Sequence, residues 1–123
     1  MSIQLPKEHD LVAALGEPRL ADPGVPWAYN RLTFEVARDR DRVEVTVSPG
    51  YGEVLIGWQR DGEVLVTLQL GNVAALAVER EHEREYLVAR FPDTREVRPL
   101  RVQLSPAVSV FWGTGPYGPL HKP

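Results

Sequence analysis

The sequence of 123 residues contains no cysteine, and only two of its positively charged residues are lysines, Lys7 and Lys122. Without cysteine, disulfides, thiolate zinc sites, iron–sulfur clusters and cysteine nucleophiles are all excluded. The formal net charge is -3. A chain of this charge has no basic field to hold a phosphate backbone, so we expect no nucleic-acid partner.

Long apolar segments are also missing. The longest uninterrupted apolar run, over 73–78, has six residues, whereas a membrane span needs about 20. The first ten residues contain no apolar stretch of the kind found in signal peptides. We therefore expect a soluble, cytoplasmic protein with no membrane contact. The preference for arginine, alanine, valine, glycine and proline is typical of a GC-rich genome, and a bacterial source is expected.

Length and composition predict a single domain over residues 1–123. Hydrophobic residues make up 43% and charged residues 25% of the chain, which is ordinary for a globular domain. Apolar residues at helical spacing, ended by Gly16 and Pro18, predict a short helix over 7–15. We expect an antiparallel β region over 27–112 and an extended tail over 113–123.

Apolar and polar residues alternate along several short segments of the β region. The clearest apolar positions are Leu32, Phe34 and Val36, then Val43, Val45 and Val47, and near the end Leu100, Val102 and Leu104. Short strands separated by turn residues are typical of an antiparallel sandwich or barrel. We predict a mainly β fold of about seven to eight strands with one N-terminal helix.

The Asp-Gly dipeptide at 61–62 predicts a hairpin turn. A two-residue turn would place Trp58 opposite Leu65 and mix apolar with polar side chains on both faces. A three-residue loop over 60–62, with its glycine left-handed in a bulge, places Trp58 opposite Val64 and makes one face wholly apolar. Because a one-residue slip would expose the whole apolar set, we predict the three-residue loop.

The segment 73–91 fits two structures, and the fold class depends on the choice. As a helix, with an asparagine cap before it and a proline after it, it would give an α+β fold. As a hairpin, strands over 73–80 and 84–91 would meet at a tip over 81–83. We favour the hairpin, because seven consecutive polar residues over 79–85 would interrupt the apolar stripe of a helix.

No motif predicts catalysis, a cofactor or a metal ion. Residues 113–118 match G-x-G-x-x-G, but a dinucleotide site needs a helix to begin there, and too few residues follow. His82 between two glutamates is a poor metal site without a second histidine. Glu35 and Glu44 could face each other across a sheet as an acid–base pair, yet both alternate with core positions and should point to solvent. This absence favours a protein that is not an enzyme, while an enzymatic pocket stays open as an alternative.

Aromatic residues in proline- and glycine-rich loops are the best candidates for binding, since they offer large rigid area at low entropic cost. Such residues also cap the open ends of small barrels. Three arginines near one strand form a locally basic segment that could hold an acidic partner. The candidate partner-binding residues are Trp27, Tyr29, Tyr51, Arg95, Arg98, Arg101 and Tyr117. Trp58 and Trp112 follow the apolar alternation and are expected in the core.

Two hypotheses for function follow. The first is a non-catalytic protein-binding module that uses loop aromatics, exposed arginines or an edge strand. Its partner would be another protein or a second copy of the chain, joined through an edge strand or the tail. The alternative is a β-barrel that binds a small molecule or acts as an enzyme through an interior pocket.

We predict that ending the chain after Thr114 leaves the protein folded, with a melting temperature changed by only a few degrees. The tail has three prolines and only Tyr117 and Leu120 as large apolar side chains, so it has little to bury. If it acts as a binding arm, truncation should reduce association. Thermal melts and sedimentation of both chains test this, and a truncated chain that fails to fold would show that the tail closes the core.

Overall fold

Two antiparallel sheets and one short helix make up the computed structural model, which describes residues 2–92 and 97–113. The helix, α1, spans Glu8–Leu15. The first sheet contains β1 (Arg19–Leu20), β2 (Leu32–Arg38), β3 (Asp41–Ser48), β4 (Glu53–Arg60) and β5 (Glu63–Leu70). The second sheet contains β6 (Ala75–Glu81), β7 (Arg84–Arg90), β8 (Leu100–Ser105) and β9 (Ser109–Phe111).

Strands are ordered in each sheet as they occur in the chain, β1-β2-β3-β4-β5 and β6-β7-β8-β9, and all neighbours are antiparallel. The predicted mainly β fold with one N-terminal helix is confirmed. Of the two predicted arrangements, the structure is the sandwich, because the sheets stay open and do not close into a barrel. The structure describes one strand more than the predicted seven to eight. Strand β1 was not predicted, because two residues are too few to show an alternation of apolar and polar side chains.

The core lies between the two sheets. Across the first sheet the apolar residues form three rows of cross-strand neighbours. The rows are Leu32–Val47–Val54–Leu70, Phe34–Val45–Ile56–Leu68 and Val36–Val43–Trp58–Val66. The second sheet supplies Leu76, Leu87, Leu100, Val102 and Leu104, and α1 adds Leu11 and Leu15. Successive side chains of a strand point to opposite faces of the sheet. Burial of these rows therefore places the residues between them on the outer face of the first sheet.

The segment 73–91 is a hairpin, and the alternative of a helix there is wrong. Strands β6 and β7 pair in register from Glu81 opposite Arg84 to Ala75 opposite Arg90. The tip contains His82 with a φ of 59°. The polar run therefore lies at an exposed tip, where its side chains need no partner from the core.

The predicted register of the β4–β5 hairpin is wrong. Arg60 lies opposite Glu63, so the turn has two residues, and Trp58 lies opposite Val66 instead of Val64. The pairing shifts between Trp58 and Gln59, because β5 contains one extra residue at this bulge. A bulge inside the strand thus combines a two-residue turn with an apolar inner face.

The two tryptophans expected in the core differ in position. Trp58 packs against the core at its edge, and its Nε1 donates to Asp41 Oδ1 at 2.8 Å. Trp112 is 41% exposed, so its predicted core position is wrong. Strand β9 ends at Phe111, so Trp112 lies beyond the strand although it follows the apolar alternation of the sequence. Its ring stacks on Phe91 with ring centroids 6.0 Å apart.

We predict that Gly62→Val destabilises the protein by roughly 1–3 kcal/mol. Asp61 and Gly62 have φ values of 52° and 82°, as a type I′ turn requires. Beyond the adjacent residues, no heavy atom lies within 4 Å of the Cβ position at Gly62, so the cost would come from backbone strain alone. Urea unfolding measures it.

Two controls accompany this prediction. Gly62→Asn should cost much less, since asparagine tolerates positive φ. Gly71→Val adds the same side chain at a glycine that also has open space but lies outside the left-handed region. Equal effects of the two Gly62 variants would contradict the turn described.

Candidate functional site

Two short 3₁₀ turns lie side by side at one end of the first sheet, and each ends in an exposed tyrosine. The first turn is Trp27–Tyr29 and the second is Pro49–Tyr51. Tyr29 is 81% and Tyr51 is 79% exposed. We call these two turns the aromatic turns; they contain three of the seven candidate binding residues.

The first aromatic turn is held from both sides. Trp27 contacts the buried Phe34 edge-on, with ring centroids 6.0 Å apart, so it serves as an anchor rather than a free contact. The buried Asn30 donates through Nδ2 to the carbonyls of Asp22 and Val25, at 2.8 and 3.0 Å. Its Oδ1 accepts the backbone N–H of Asp22 at 3.2 Å. Tyr29 therefore projects from a fixed backbone.

The second aromatic turn is fixed by backbone hydrogen bonds. Pro49 is buried, and its carbonyl accepts the N–H of Ile3 at 2.8 Å. Gly52 ends the turn with a left-handed φ of 70°, and its carbonyl accepts the N–H of Val73 at 2.9 Å. A rigid turn loses little entropy when its side chain is buried by a partner.

Open grooves extend from the second aromatic turn across the outer face of the first sheet. One of about 620 Å³ is bordered by Tyr51 and lined by Thr46, Leu55 and Gln69, among others. A second of about 300 Å³ shares Leu55 and passes over Gly57, which has no side chain to fill it. This face is therefore concave, with an apolar side chain at the junction of the two grooves.

The glutamates that the sequence placed across a sheet do face each other, but they form part of an ion-paired surface. Glu35 lies opposite Glu44, and Arg42 donates to Glu35 at 2.6 Å. Arg19 lies 3.7 Å from Glu35 and 4.0 Å from Glu44. The hydrogen bond from Arg42 lowers the pKa of Glu35. A carboxyl that acts as a general acid near neutral pH needs a raised pKa. The geometry therefore fits a solvated ion pair better than an acid–base pair.

Of the predicted arginines, the structure describes Arg98 and Arg101, and neither belongs to the aromatic turns. Arg101 lies on the outer face of the second sheet, where Nη1 donates to Glu79 Oε1 at 2.8 Å. Its guanidinium carbon lies 4.4 Å from the ring centroid of Tyr86. The carbonyl of Arg98 accepts the indole N–H of Trp112 at 2.9 Å.

The other two candidates cannot be placed. Arg95 and Tyr117 lie outside the described residues, as does the predicted tail after Gly113. Their part in binding stays a prediction, and so does association through the tail.

Sequence reasoning missed two exposed apolar residues at the start of β5. Val64 is 57% and Leu65 is 45% exposed. The run Val64-Leu65-Val66 was the available signal, because three consecutive apolar residues cannot all lie on one face of a strand. Strand β5 is also the last strand of its sheet.

In residues 2–92 and 97–113, no group of three or more histidine, aspartate or glutamate residues could hold a metal ion. In the same part of the chain, no helix is long and apolar enough to span a membrane.

Comparison with known proteins relates this chain to another by fold. No family model matches the sequence, and no curated protein matches it by sequence. A chain in the solved structure of a contact-dependent growth inhibition toxin–immunity protein complex from Klebsiella pneumoniae 342 has a TM-score of 0.77 at 10% identity. The match covers 93% of this chain and 99% of that chain. The two proteins therefore share a fold over almost their whole lengths.

We predict that Asp41→Asn is less stable than the wild type at pH 7 and that this difference shrinks in acid. Hydrogen bonds from Arg60 Nε at 2.9 Å and Trp58 Nε1 at 2.8 Å lower the pKa of Asp41. Its contribution is therefore present above the unfolded value of about 3.9 and is lost as pH falls through the lower folded pKa. Urea unfolding at several pH values tests this, and a constant difference would contradict it.

Proposed function

We propose that this protein is a non-catalytic binding module that holds another protein on its aromatic turns, and that it acts as the immunity partner of a protein toxin. The observation that carries the proposal is the likeness to a chain of a toxin–immunity protein complex over nearly all of both chains. Each protein in such a complex binds a protein, so the likeness supports protein binding whichever of the two chains it concerns.

The exposed tyrosines support the same proposal independently. Tyr29 and Tyr51 project from turns that the core and the backbone hold in place. Tyrosine is enriched among the residues that dominate binding energy, because its ring buries much area and its hydroxyl can pair. The adjoining groove gives a partner side chain a place beside Tyr51.

An inhibitory role fits this surface better than catalysis does. Among the described residues, two carboxylates, Glu35 and Asp41, have clearly shifted pKa values, and hydrogen bonds from arginines in ion pairs lower both. An inhibitor needs a complementary surface and no reactive group. The expected bacterial source and cytoplasmic location belong to this proposal, since an inhibitor must meet its toxin in the same compartment.

The partner to test is the product of the gene adjacent to this one, because a cell that makes a toxin must make its inhibitor with it. We expect that product alone to arrest growth and the wild-type protein to relieve the arrest. The double variant Tyr29→Ala, Tyr51→Ala should bind the purified product at least about tenfold more weakly, as expected for two interface hot spots. Titration calorimetry measures the affinity.

Matched variants make this test specific. Tyr29→Phe with Tyr51→Phe keeps both rings and should bind almost normally. Glu83→Ala, at the exposed tip of the β6–β7 hairpin, changes a distant surface. An adjacent gene product that neither arrests growth nor binds the wild type would overturn the immunity role. Normal binding by the double alanine variant would overturn the site.

A further inference from the structure

Strand β5 is a long open edge of the sandwich. It has eight residues and lies at one end of the first sheet; at the other end the two-residue β1 pairs only with Leu32 and Thr33 of β2. Edge strands present unpaired backbone N–H and C=O groups and are templates for pairing with another chain. Within the described residues, β5 pairs with β4 alone.

The edges of the second sheet are protected in ways that β5 is not. Strand β9 has only three residues. Strand β6 pairs at its start with the N-terminal segment: Gln4 N–H donates to Ala74 at 2.9 Å, and the Gln4 carbonyl accepts the N–H of Leu76 at 3.0 Å. The end of β6 is charged, with Glu79, Arg80 and Glu81 in succession. Short length, covering segments and charge are common defences against edge pairing.

The composition of β5 favours pairing. Its sequence, EVLVTLQL, contains one charge, Glu63, at its first position. Val64 and Leu65 are exposed although apolar, and Val66 and Leu68 are only partly covered. An apolar edge that the sandwich leaves partly open gains free energy when a further strand covers it.

We propose that β5 pairs with β5 of a second copy of this chain, antiparallel about a two-fold axis, to form one continuous ten-stranded sheet. With Thr67 at the axis, Val66 lies opposite Leu68 of the second copy, so the inner face stays apolar across the junction. In this register the two Glu63 residues lie at opposite ends, roughly 26 Å apart at about 3.3 Å per residue. The strand is therefore self-complementary in polarity and free of like-charge contacts.

This assembly goes beyond the proposed function and does not depend on it. Tyr29 and Tyr51 lie on the aromatic turns, not on β5, so the pairing does not use them. A dimer of this kind would present two copies of the aromatic turns. Variants at the tyrosines should leave self-association unchanged, which separates failure of one proposal from failure of the other.

The first test is sedimentation velocity over a range of protein concentrations. We expect a concentration-dependent dimer for the wild type and at least about tenfold weaker association for Leu65→Lys. The matched control is Gln59→Lys, which adds the same charge opposite Val64 on the inner strand β4. A thermal melt of each variant verifies folding. A wild type that is still monomeric at about 1 mM would overturn the proposal.

The second test uses the absence of cysteine, since a single introduced thiol can cross-link only to its copy. Thr67→Cys should form a disulfide-linked dimer under mild oxidation, because the Cα atoms of directly opposed antiparallel residues lie about 4.5–5.5 Å apart, within the range of about 4.4–6.8 Å that disulfides span. Glu83→Cys, at the exposed hairpin tip, controls for random collision. If Thr67→Cys cross-links no faster than the control, the proposal is overturned. Strand β5 would then be available to pair with a strand of a different protein instead of a second copy.

Discussion

Three rows of apolar side chains cross the first sheet, and the rest of the structure depends on their staying on one face. In the central row, Phe34, Val45 and Ile56 are fully buried neighbours on successive strands. A shift of any strand by one residue would turn its whole set to solvent. The extra residue in β5 therefore has to be absorbed by a bulge, which keeps Val66 in the third row and leaves Leu65 exposed.

The same alternation determines which surfaces are available. Outward positions of the first sheet carry polar residues, ion pairs and Gly57, which gives a concave, solvated face. Tyr29 and Tyr51 lie beyond the strands, where the alternation imposes no burial. Their exposure is therefore not required by packing, and their turns are held by contacts that need neither ring. This separation between support and exposed ring is what a preformed binding site requires.

The fold was largely predictable because its signal is local and periodic. Alternation identified β2, β3 and β8, and the polar run over 79–85 identified the β6–β7 hairpin. The β4–β5 register was not predictable from the sequence. A three-residue turn without a bulge in the strand and a two-residue turn with one both give an apolar inner face, and only packing in the folded protein decides between them. The core position predicted for Trp112 was wrong for a related reason, because the apolar alternation of the sequence continues past Phe111, where strand β9 ends.

The binding role of the candidate residues stays a prediction, but the structure separates them by exposure. Loop context predicted Tyr29, Tyr51 and Trp27 alike, and the structure exposes the two tyrosines and packs Trp27 against Phe34. Composition could not separate these roles, because both are aromatic residues near proline and glycine. Arg101 was identified by charge, but Glu79 and the ring of Tyr86 occupy its guanidinium. A sequence shows which side chains could bind, and the contacts that each already makes decide which of them remain available.

The aromatic turns and the β5 edge would bind their partners through different interactions, the turns through side chains and the edge through backbone hydrogen bonds. The turns offer side-chain area on a fixed backbone, so affinity there should depend on the two rings and on the shape of the partner. The edge offers backbone hydrogen bonds, which any extended strand can make, so its selectivity must come from side chains. Its apolar inner positions and its single terminal charge favour an identical strand. One small sandwich can therefore carry two contacts whose specificities arise separately, one from exposed rings and the other from the polarity pattern of a strand.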